Sequence, residues 1–403
     1  MSRKTVLISG AGIAGPTLAF WLKRAGFEPT LIEHAPALRS GGYVIDFWGL
    51  GYDIAGRMGL ANAISGTGYH IQELRIVDDR GRRITGFGTR AFGELAGGRY
   101  VTLARSELSR LLFAKVKDEV EVAFGNEIIG LEERAGGVQV EFKRGAGRRF
   151  DLVVGADGLH SGVRRLAFGP QHRFERPLGY AAAAFEARGY CPRDDDVYVM
   201  YANPGRMLGR FSLRGDRTLF LFVFTAGGDP LPGALDLQKA MLRERYGEGR
   251  WECPRILDEL DRAQELYFDR VSQIRIGRWS RGRVALIGDA AFCVSLVAGQ
   301  GTALTMISAY VLAGELAKAN GRHEQAFAAY EALLRDYIGR KQQGAERYAS
   351  FFAPKTKWSL WLRNLVISAF AIPGVARLSA GRQIADTLRL PGYPWPALAA
   401  PHT

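Results

Sequence analysis

The apolar positions at the start of the chain predict a strand, a helix and a second strand, in that order. Residues 5–9 form a short apolar and β-branched run, which is typical of a strand buried in a parallel sheet. Apolar residues then recur at helical spacing, with Pro16 suited to the first turn and Gly26 ending the pattern. Residues 28–33 form the next strand, so the sequence predicts a βαβ unit.

Further along the chain, two kinds of strand pattern occupy separate blocks. Short apolar runs between glycine-rich turns predict strands at 120–124, 128–132, 138–142, 150–154 and 284–289. A helix is predicted from about 302 to 318. Between about 175 and 275 the pattern changes to alternating, aromatic-rich segments at 197–201, 208–213 and 218–225. The second pattern favours an antiparallel sheet inserted into a discontinuous first domain.

The last part of the chain, residues 351–403, is predicted to be a helical segment. Within it, residues 355–377 are rich in tryptophan and aliphatic residues and have basic flanks. The longest uncharged run there has about a dozen residues, whereas about 20 are needed to span a bilayer. Two interpretations stay open, a helix packed on the protein body and an interfacial helix with weak membrane-surface contact.

Composition and charge narrow the class of protein. The 403 residues are 47% hydrophobic and 24% charged, as in an ordinary globular protein with room for two or three domains. The net charge of +13 is dispersed in pairs such as Arg164-Arg165, without a basic block, so no nucleic-acid partner is predicted.

The cysteine pattern argues against disulfides and metal sites. The three cysteines, Cys191, Cys253 and Cys293, lie far apart without a C-x-x-C motif or a histidine at ligand spacing. No apolar signal segment follows the N-terminal methionine, so the sequence predicts a cytoplasmic protein.

The turn between the first strand and helix carries the first chemical motif. Gly10, Gly12 and Gly15 form a G-x-G-x-x-G loop at a helix N-terminus, where backbone N–H groups can hold a pyrophosphate. Glu33 ends the second strand, where a carboxylate would accept hydrogen bonds from a ribose. A carboxylate there disfavours a 2′-phosphate, so FAD or NAD fits this site better than NADP.

Three further motifs follow in order, at residues 101–108, 151–161 and 288–301. They read VTLARSEL, DLVVGADGLHS and GDAA followed by AGQG. Together with the glycine loop, they resemble the FAD-dependent aromatic hydroxylase family typified by para-hydroxybenzoate hydroxylase, over about residues 5–318. The resemblance implies bound FAD, with Arg105 reaching it and Asp157 and Asp289 in the DG and GD motifs. It gives these cofactor-binding candidates: Gly10, Gly12, Ala14, Gly15, Glu33, His34, Arg105, Asp157, Asp289, Gly299, Gln300, Gly301 and Thr302.

Each charged candidate also has a purely structural interpretation. Asp289 could cap a helix, Asp157 could stabilise a turn, and Arg105 could form a surface ion pair. The sequence departs from the family at Phe292 and Leu296, where the GD motif commonly continues with histidine and proline. FAD binding should survive this change, while the shape of the loop beside the flavin ring is left open.

The resemblance implies an α/β fold: a Rossmann-like FAD-binding domain, an inserted antiparallel β-sheet substrate domain and the C-terminal helical segment. The predicted FAD-binding domain comprises 1–67, 103–174 and 276–350, and the substrate domain comprises 68–102 and 175–275. Substrate-contact candidates are Asp46, Tyr201, Arg210, Phe211, Phe222 and Phe224. Core packing is the alternative for the aromatic residues and Arg210, a turn cap is the alternative for Asp46, and no catalytic acid or base is assigned.

The resemblance also implies the activity of a single-component monooxygenase. NADPH or NADH would reduce the bound FAD, O2 would form a flavin hydroperoxide, and one oxygen would pass to a hydrophobic, aromatic or polyketide-like small molecule. A flavin oxidase or dehydrogenase on the same scaffold is an alternative, as is a protein that binds FAD and a hydrophobic ligand without turnover. A plain NAD dehydrogenase would require the later motifs to be coincidental, and the oligomeric state is left open.

Overall fold

The structure is a computed structural model that describes residues 3–39, 41–88, 99–228, 230–296, 299–370 and 387–395. The first part of the chain alternates between strands and short helices. In chain order its elements are β1 (Thr5–Ser9), α1 (Ala14–Arg24), β2 (Glu28–Glu33), β3 (Val44–Trp48), α2 (Gly49–Arg57), α3 (Ala61–Thr67), β4 (Glu73–Val77), β5 (Arg83–Gly88), β6 (Tyr100–Ala104), α4 (Arg105–Ala114), β7 (Glu121–Phe124), β8 (Ile128–Arg134), β9 (Gly137–Phe142), β10 (Arg148–Phe150) and β11 (Leu152–Gly155).

The remaining elements contain the long strands and long helices. They are α5 (Gly162–Ala167), β12 (Glu175–Arg188), β13 (Val197–Asn203), β14 (Arg206–Leu213), β15 (Arg217–Thr225), α6 (Leu235–Tyr246), α7 (Cys253–Arg262), β16 (Tyr267–Ile274), β17 (Ser280–Arg281), β18 (Val284–Leu286), α8 (Asp289–Phe292), α9 (Gly301–Lys318), α10 (His323–Phe352) and α11 (Lys357–Phe370). The predicted helix at about 302–318 is confirmed by α9.

A six-stranded sheet forms the core of the first domain. Its strand order is β17-β18-β11-β1-β2-β7, and every neighbouring pair is parallel except β17 with β18. Val6, Leu7 and Ile8 on β1 are fully buried, as expected for a central strand covered on both faces. The carboxyl ends of β1, β11 and β18 therefore meet at one edge of the sheet, and the predicted α/β fold class is confirmed.

Two predicted strands differ from the structure. The strand predicted at 284–289 ends at Leu286, because the chain turns at Gly288 and Asp289 already begins α8. The sequence pattern predicts a single strand at 150–154, whereas the structure divides this region at Asp151 into β10 and β11. Asp151 accepts hydrogen bonds from the backbone N–H and the hydroxyl of Thr5, at 2.8 and 3.0 Å. The chain can therefore leave the three-stranded sheet β10-β9-β8 and enter the six-stranded sheet beside β1.

A seven-stranded sheet with the order β16-β12-β15-β14-β13-β4-β5 forms the second layer. Its neighbouring strands are antiparallel except for β4 and β13, which are parallel. A parallel pair needs a long connection between its strands, and more than 100 residues separate these two along the chain. Strands β4 and β5 thus join those of the 175–275 block.

The two faces of this sheet have different neighbours. One face packs against α6 and α7, and α7 buries Cys253, Ile256, Leu257 and Leu260 at helical spacing. The opposite face carries the side chains that pack against Tyr43 and Val44 at the start of β3. The cleft between the two sheets therefore lies on the face away from α6 and α7.

A two-stranded ribbon of β3 and β6 lines this cleft. Ile45 and Phe47 on β3, with Val101 and Leu103 on β6, are buried in the core of the first domain. The alternate positions, including Asp46 paired with Thr102, belong to the other face of the ribbon. The period-two pattern of the ribbon therefore separates a core face from a cleft face.

The described C-terminal residues form one helix and one extended segment. Residues 387–395 have no regular secondary structure, although helix is predicted across 351–403. The ring of Trp395 lies 4.7 Å from that of Trp21, and Tyr393 donates a 2.8 Å hydrogen bond to Glu315. Within the ranges described above, no helix combines the length and apolar character needed to cross a bilayer.

Candidate functional site

The G-x-G-x-x-G loop joins β1 to α1 in a tightly packed turn. Gly10 has φ +107°, and a methyl group built on it would lie 2.5 Å from the carbonyl oxygen of Ala156. A methyl group on Gly15 would lie 1.9 Å from the carbonyl oxygen of Gly10. These two glycines are therefore required by the packing of the protein itself.

Gly12 differs from its neighbours because its missing side chain leaves free space. The nearest atom to a methyl group built there is a guanidinium nitrogen of Arg105, 3.6 Å away. No described carboxylate lies within ion-pair distance of Arg105, whose side chain is half-buried at the start of α4. A cation without a partner beside an open glycine loop fits an anionic group such as a pyrophosphate.

Glu33 lies at the end of β2, against the same loop. Its carboxylate accepts hydrogen bonds from the N–H groups of Ala11 and Ala35, at 2.8 and 3.0 Å. The exposed His34 places Nδ1 2.9 Å from the same carboxylate. Among the other candidates of this loop, Ala14 begins α1 and is buried.

Asp157 lies after β11, at the same edge of the sheet. It accepts hydrogen bonds from the Ser161 hydroxyl at 2.5 Å, the Val163 N–H at 3.1 Å and the Ser9 hydroxyl at 3.4 Å. Local donors thus occupy both carboxylate oxygens, and Asp157 stabilises the start of α5. This placement agrees with the turn-stabilising interpretation and leaves a direct cofactor contact as a prediction.

Asp289 follows β18 and begins α8. A methyl group built on Gly301 would lie 3.8 Å from Asp289 Oδ1, so the carboxylate is close to the start of α9. Gly299 has φ +65°, Gln300 precedes the helix, and Thr302 is half-buried in its first turn. The structure therefore brings the GD motif and the following glycine loop to one place.

The two positions that depart from the family pack in different apolar clusters. Phe292 is buried in the core of the first domain, with its ring 4.8 Å from that of Trp279. Leu296 packs on the cleft side of the seven-stranded sheet, in a cluster with Tyr180 and Met207. The residues between Leu296 and Gly299 lie outside the described part of the chain.

Several titratable groups near the glycine loops are poorly hydrated. Asp157 and Asp289 keep some accessible surface, yet desolvation raises the pKa of each carboxyl. Desolvation likewise raises the pKa of the half-buried Tyr43 to about 12, although the nearby Arg105 lowers it. Partial accessibility together with poor hydration is consistent with groups that face a recess rather than the outer surface.

The substrate candidates fall on opposite faces of the seven-stranded sheet. Phe222 and Phe224 are buried under α6 and α7, where the Tyr246 ring lies 4.9 Å from that of Phe222. Tyr201 packs on the same face and donates a 2.7 Å hydrogen bond to Asp79. The buried Arg210 pairs with Asp194 at 2.5 Å. These four placements agree with the core-packing alternative.

Phe211 and Asp46 lie on the cleft side. The Phe211 ring stacks on Tyr198 at 4.6 Å and meets Tyr69 edge-on at 5.2 Å. Asp46 accepts hydrogen bonds from Tyr100 at 2.9 Å and Thr102 at 2.5 Å. The structure therefore brings two of the six substrate candidates to the cleft.

Sequence reasoning missed most of the aromatic side chains that line the cleft. Tyr43 and Tyr267 meet with ring centroids 5.2 Å apart, and Tyr198 stacks on Phe211. A methyl group on Gly299 would lie 3.7 Å from the ring of Trp48. The alternation on β3 was a usable signal, because Trp48 shares a strand face with Asp46.

Sequence reasoning also misses Arg164, because Arg164-Arg165 is only one of several dispersed basic pairs in the sequence. Its guanidinium is fully buried and donates to the carbonyl oxygens of Ala290 and Leu159, at 2.9 and 2.6 Å. Arg164 thus ties the DG motif to the GD motif. The described residues also form a surface cleft of about 750 Å³ around Phe168, Phe174 and Phe327, which contains none of the predicted site residues.

Proteins with similar sequences include FAD-binding enzymes. Residues 3–340 match the family described as FAD binding domain. An uncharacterized protein of Mycobacterium tuberculosis is 38% identical over 343 residues, which are 84% of this chain and 92% of the relative. A flavin-dependent monooxygenase of Legionella longbeachae is 32% identical over 349 residues, covering 84% of this chain and 87% of the relative.

A solved structure has the same architecture. The crystal structure of tetracycline destructase Tet(55) is similar with a TM-score of 0.83 and 30% sequence identity. The match covers 97% of this chain and 99% of the other. The likeness therefore extends beyond the glycine loop to both sheets.

Proposed function

Because the chain belongs to the FAD binding domain family and is an FAD-dependent monooxygenase, we propose a reaction for it. In this reaction the protein uses NADPH or NADH and O2 to oxygenate a hydrophobic, aromatic or polyketide-like small molecule. The observation that carries the substrate class is the aromatic wall of the cleft, formed by Tyr198, Phe211 and Tyr267. Flat aromatic surfaces favour a flat apolar ligand. The name of the similar protein, tetracycline destructase Tet(55), contains tetracycline, which is a polyketide with a flat fused-ring system.

The cofactor contacts would come from the carboxyl edge of the parallel sheet. The glycine loop and the N-terminus of α1 would hold the pyrophosphate, with Arg105 neutralising its charge. Asp289 would accept hydrogen bonds from the ribityl hydroxyls. The N–H groups around Gly301, at the start of α9, would face the flavin pyrimidine, where a helix N-terminus stabilises negative charge. When bound, FAD supplies the redox chemistry: it accepts a hydride from the nicotinamide and activates O2, one atom entering the product and the other leaving as water.

The chain's remaining contribution is to position the substrate and exclude water. Phe211 and Tyr198 form a stacked pair on the sheet, and Tyr267 meets Tyr43 where the two sheets approach each other. A rigid aromatic wall would fix the distance between the reacting carbon and the oxygen to be transferred, and rates depend steeply on that distance.

The test is steady-state and rapid kinetics on the purified yellow protein. We expect tetracyclines, anthraquinones or simple phenols, added singly, to include a ligand that accelerates flavin reduction and gains one oxygen atom. Oxygen uptake should match nicotinamide consumption. If none of these ligands gains oxygen and all consumed O2 appears as hydrogen peroxide, the proposed substrate class is wrong.

A further inference from the structure

Helix α11 has two sides with opposite surroundings. On one side Arg363 and Ile367 are buried, and the Ser368 hydroxyl shares a 2.6 Å hydrogen bond with the Thr85 hydroxyl on β5. On the other side, large apolar side chains are between 41% and 68% exposed. They are Trp358, Trp361, Leu362, Leu365 and Val366, and together we call them the α11 stripe. The contacts with β5 therefore fix the helix so that the stripe faces outward.

The α11 stripe is contiguous. Its positions follow the spacing i, i+3, i+4, i+7 and i+8, which places them on one side of the helix over about 12 Å. The rings of Trp358 and Trp361 stack with their centroids 4.8 Å apart. Single exposed apolar residues are normal on a protein surface, whereas a contiguous apolar patch marks an interaction surface.

The size of the stripe favours a membrane over a second copy of the chain. Two tryptophans and three aliphatic side chains, each about half exposed, present on the order of 500 Å². A stable protein interface buries about 800 Å² on each partner. Insertion into the boundary between lipid headgroups and acyl chains needs only the apolar side of one helix, at a depth of about 5 to 10 Å.

The charges along this part of the chain have one sign. The sequence contains six basic residues and no acidic residue in the range 347–385. Lys355 and Lys357 are exposed at the start of α11. Among the described residues, no carboxylate lies within ion-pair distance of either ammonium group. Unpaired basic residues beside an apolar helix face complement a surface of anionic phospholipids.

Helix α11 also lies beside the cleft. Thr85 pairs with Ile76, which in turn pairs with Met200. Met200 and Tyr198 are two residues apart on β13, so the face under α11 is the face that carries the aromatic wall. We propose that the α11 stripe binds the surface of a membrane that contains anionic phospholipids, with the helix lying parallel to that surface. This inference does not depend on the proposed function.

The test measures binding of the FAD-loaded protein to vesicles by flotation in a density gradient. One kind of vesicle is phosphatidylcholine alone, and the other contains phosphatidylcholine and phosphatidylglycerol in equal amounts. We expect roughly 10-fold stronger binding to the anionic vesicles at low salt, and this binding should weaken as salt is added. Failure to bind the anionic vesicles would overturn the inference.

Two matched variants add the same charge at different places. Leu365→Glu puts a carboxylate in the stripe and should weaken binding to the anionic vesicles at least roughly 10-fold. Leu237→Glu is the control, because Leu237 is 60% exposed on α6, outside the stripe, and this variant should bind like the wild type. Lys357→Gln should weaken binding to the anionic vesicles roughly fivefold. Binding that survives in Leu365→Glu, or that is lost equally in Leu237→Glu, would contradict the α11 stripe as the contact.

A measurement on the wild type keeps the inference testable if Leu365→Glu fails to fold. In the described chain the exposed tryptophans are Trp358 and Trp361, so phosphatidylcholine with brominated acyl chains, mixed into the anionic vesicles, should quench their emission. Bound protein without quenching would place both rings outside the membrane and refute the inference. A wild type that dimerises without lipid, beside a monomeric Leu365→Glu, would assign the stripe to a second copy of the chain instead.

Discussion

At the scale of single residues, the three glycines of the first turn differ in the space that the protein leaves around them. Gly10 and Gly15 leave no room for a Cβ atom, because backbone carbonyl oxygens lie 2.5 and 1.9 Å from where it would be. Gly12 has no such neighbour, since the closest atom would be 3.6 Å away on Arg105. We therefore expect a side chain at this position to clash with a bound ligand rather than with the protein.

We expect Gly12→Val to lose bound FAD while the protein still folds. The isopropyl group would fill the space between the loop and Arg105, where the pyrophosphate would bind. The ratio of flavin absorbance to protein absorbance after purification measures the loss. Gly56→Val is the control, because a Cβ at this exposed helical glycine meets nothing within 4 Å. Equal FAD content in the two variants would contradict the assignment of the loop.

Asp289→Asn should change stability and cofactor binding in opposite directions. Desolvation raises the pKa of Asp289 in the folded protein, so the folded state holds this proton more tightly than the unfolded chain does. As the pH rises from the pKa of Asp289 in the unfolded chain to its pKa in the folded protein, the contribution of Asp289 to the free energy of unfolding therefore falls. Above that range the contribution stays low. Asparagine carries no proton to lose and escapes this penalty.

The melting temperature of the FAD-free protein measures the effect. Asp289→Asn and the wild type should agree in acid, below both pKa values, and the variant should melt at a higher temperature near neutral pH. FAD should bind the variant more weakly, because the acceptor for the ribityl hydroxyls is weakened. A variant that is less stable than the wild type at neutral pH would show that the carboxylate is structural, as a helix cap would be.

At the scale of elements, the neighbouring strands β14 and β15 provide a matched pair of aromatic residues. Phe211 on β14 lies on the cleft face, and Phe222 on β15 lies under α6 and α7. Both are almost fully buried, so either change to alanine should lower the free energy of unfolding by about 3 to 5 kcal/mol. Only Phe211→Ala should also enlarge the substrate cleft and admit water.

The two variants should therefore differ in coupling. Phe211→Ala should still consume NADPH or NADH but release hydrogen peroxide in place of product, because a displacement of about 1 Å can cost on the order of 100-fold in rate. Phe222→Ala should stay coupled in whatever fraction folds. Peroxide yield per reduced nicotinamide, measured beside the melting temperature, distinguishes the two. Uncoupling in Phe222→Ala alone would reverse the assignment of the faces.

The sequence could predict these strands but not which of their faces lines the cleft. Both faces of β15 are apolar, because aliphatic residues at 219, 221 and 223 alternate with phenylalanines at 220, 222 and 224. The period-two pattern therefore does not show which face lines the cleft. The β1–α1–β2 unit was predictable because its signals are local, namely a buried run, a glycine turn and an acid at a fixed distance. The break at Asp151 depends on Thr5, far away in sequence, and no local pattern marks it.

At the scale of the whole molecule, the cleft combines segments that are distant along the chain. The glycine loop, Arg105, Asp157 and Asp289 come from four separate parts of the sequence and meet at one edge of the parallel sheet. Their convergence follows from the strand order, which places β11 and β18 on one side of β1 and β2 on the other. A ligand bound in the cleft would contact both sheets, so FAD should raise the melting temperature of the molecule as a whole.

The same architecture predicts how the nicotinamide binds. Within the described residues, the parallel sheet with its G-x-G-x-x-G turn is assigned to FAD, and the seven-stranded sheet has no strand–glycine turn–helix unit that could hold a second dinucleotide. We therefore expect one FAD per chain and only transient binding of NADPH or NADH at the surface.

After incubation with either nicotinamide under anaerobic conditions, the flavin should elute from gel filtration with the protein and the nicotinamide should elute separately. Reduction rates should rise almost linearly with nicotinamide concentration over a wide range, because a weak surface complex does not saturate early. A nicotinamide that co-elutes in equal amount with FAD, or a crystal structure with both dinucleotides held in separate glycine loops, would overturn this prediction.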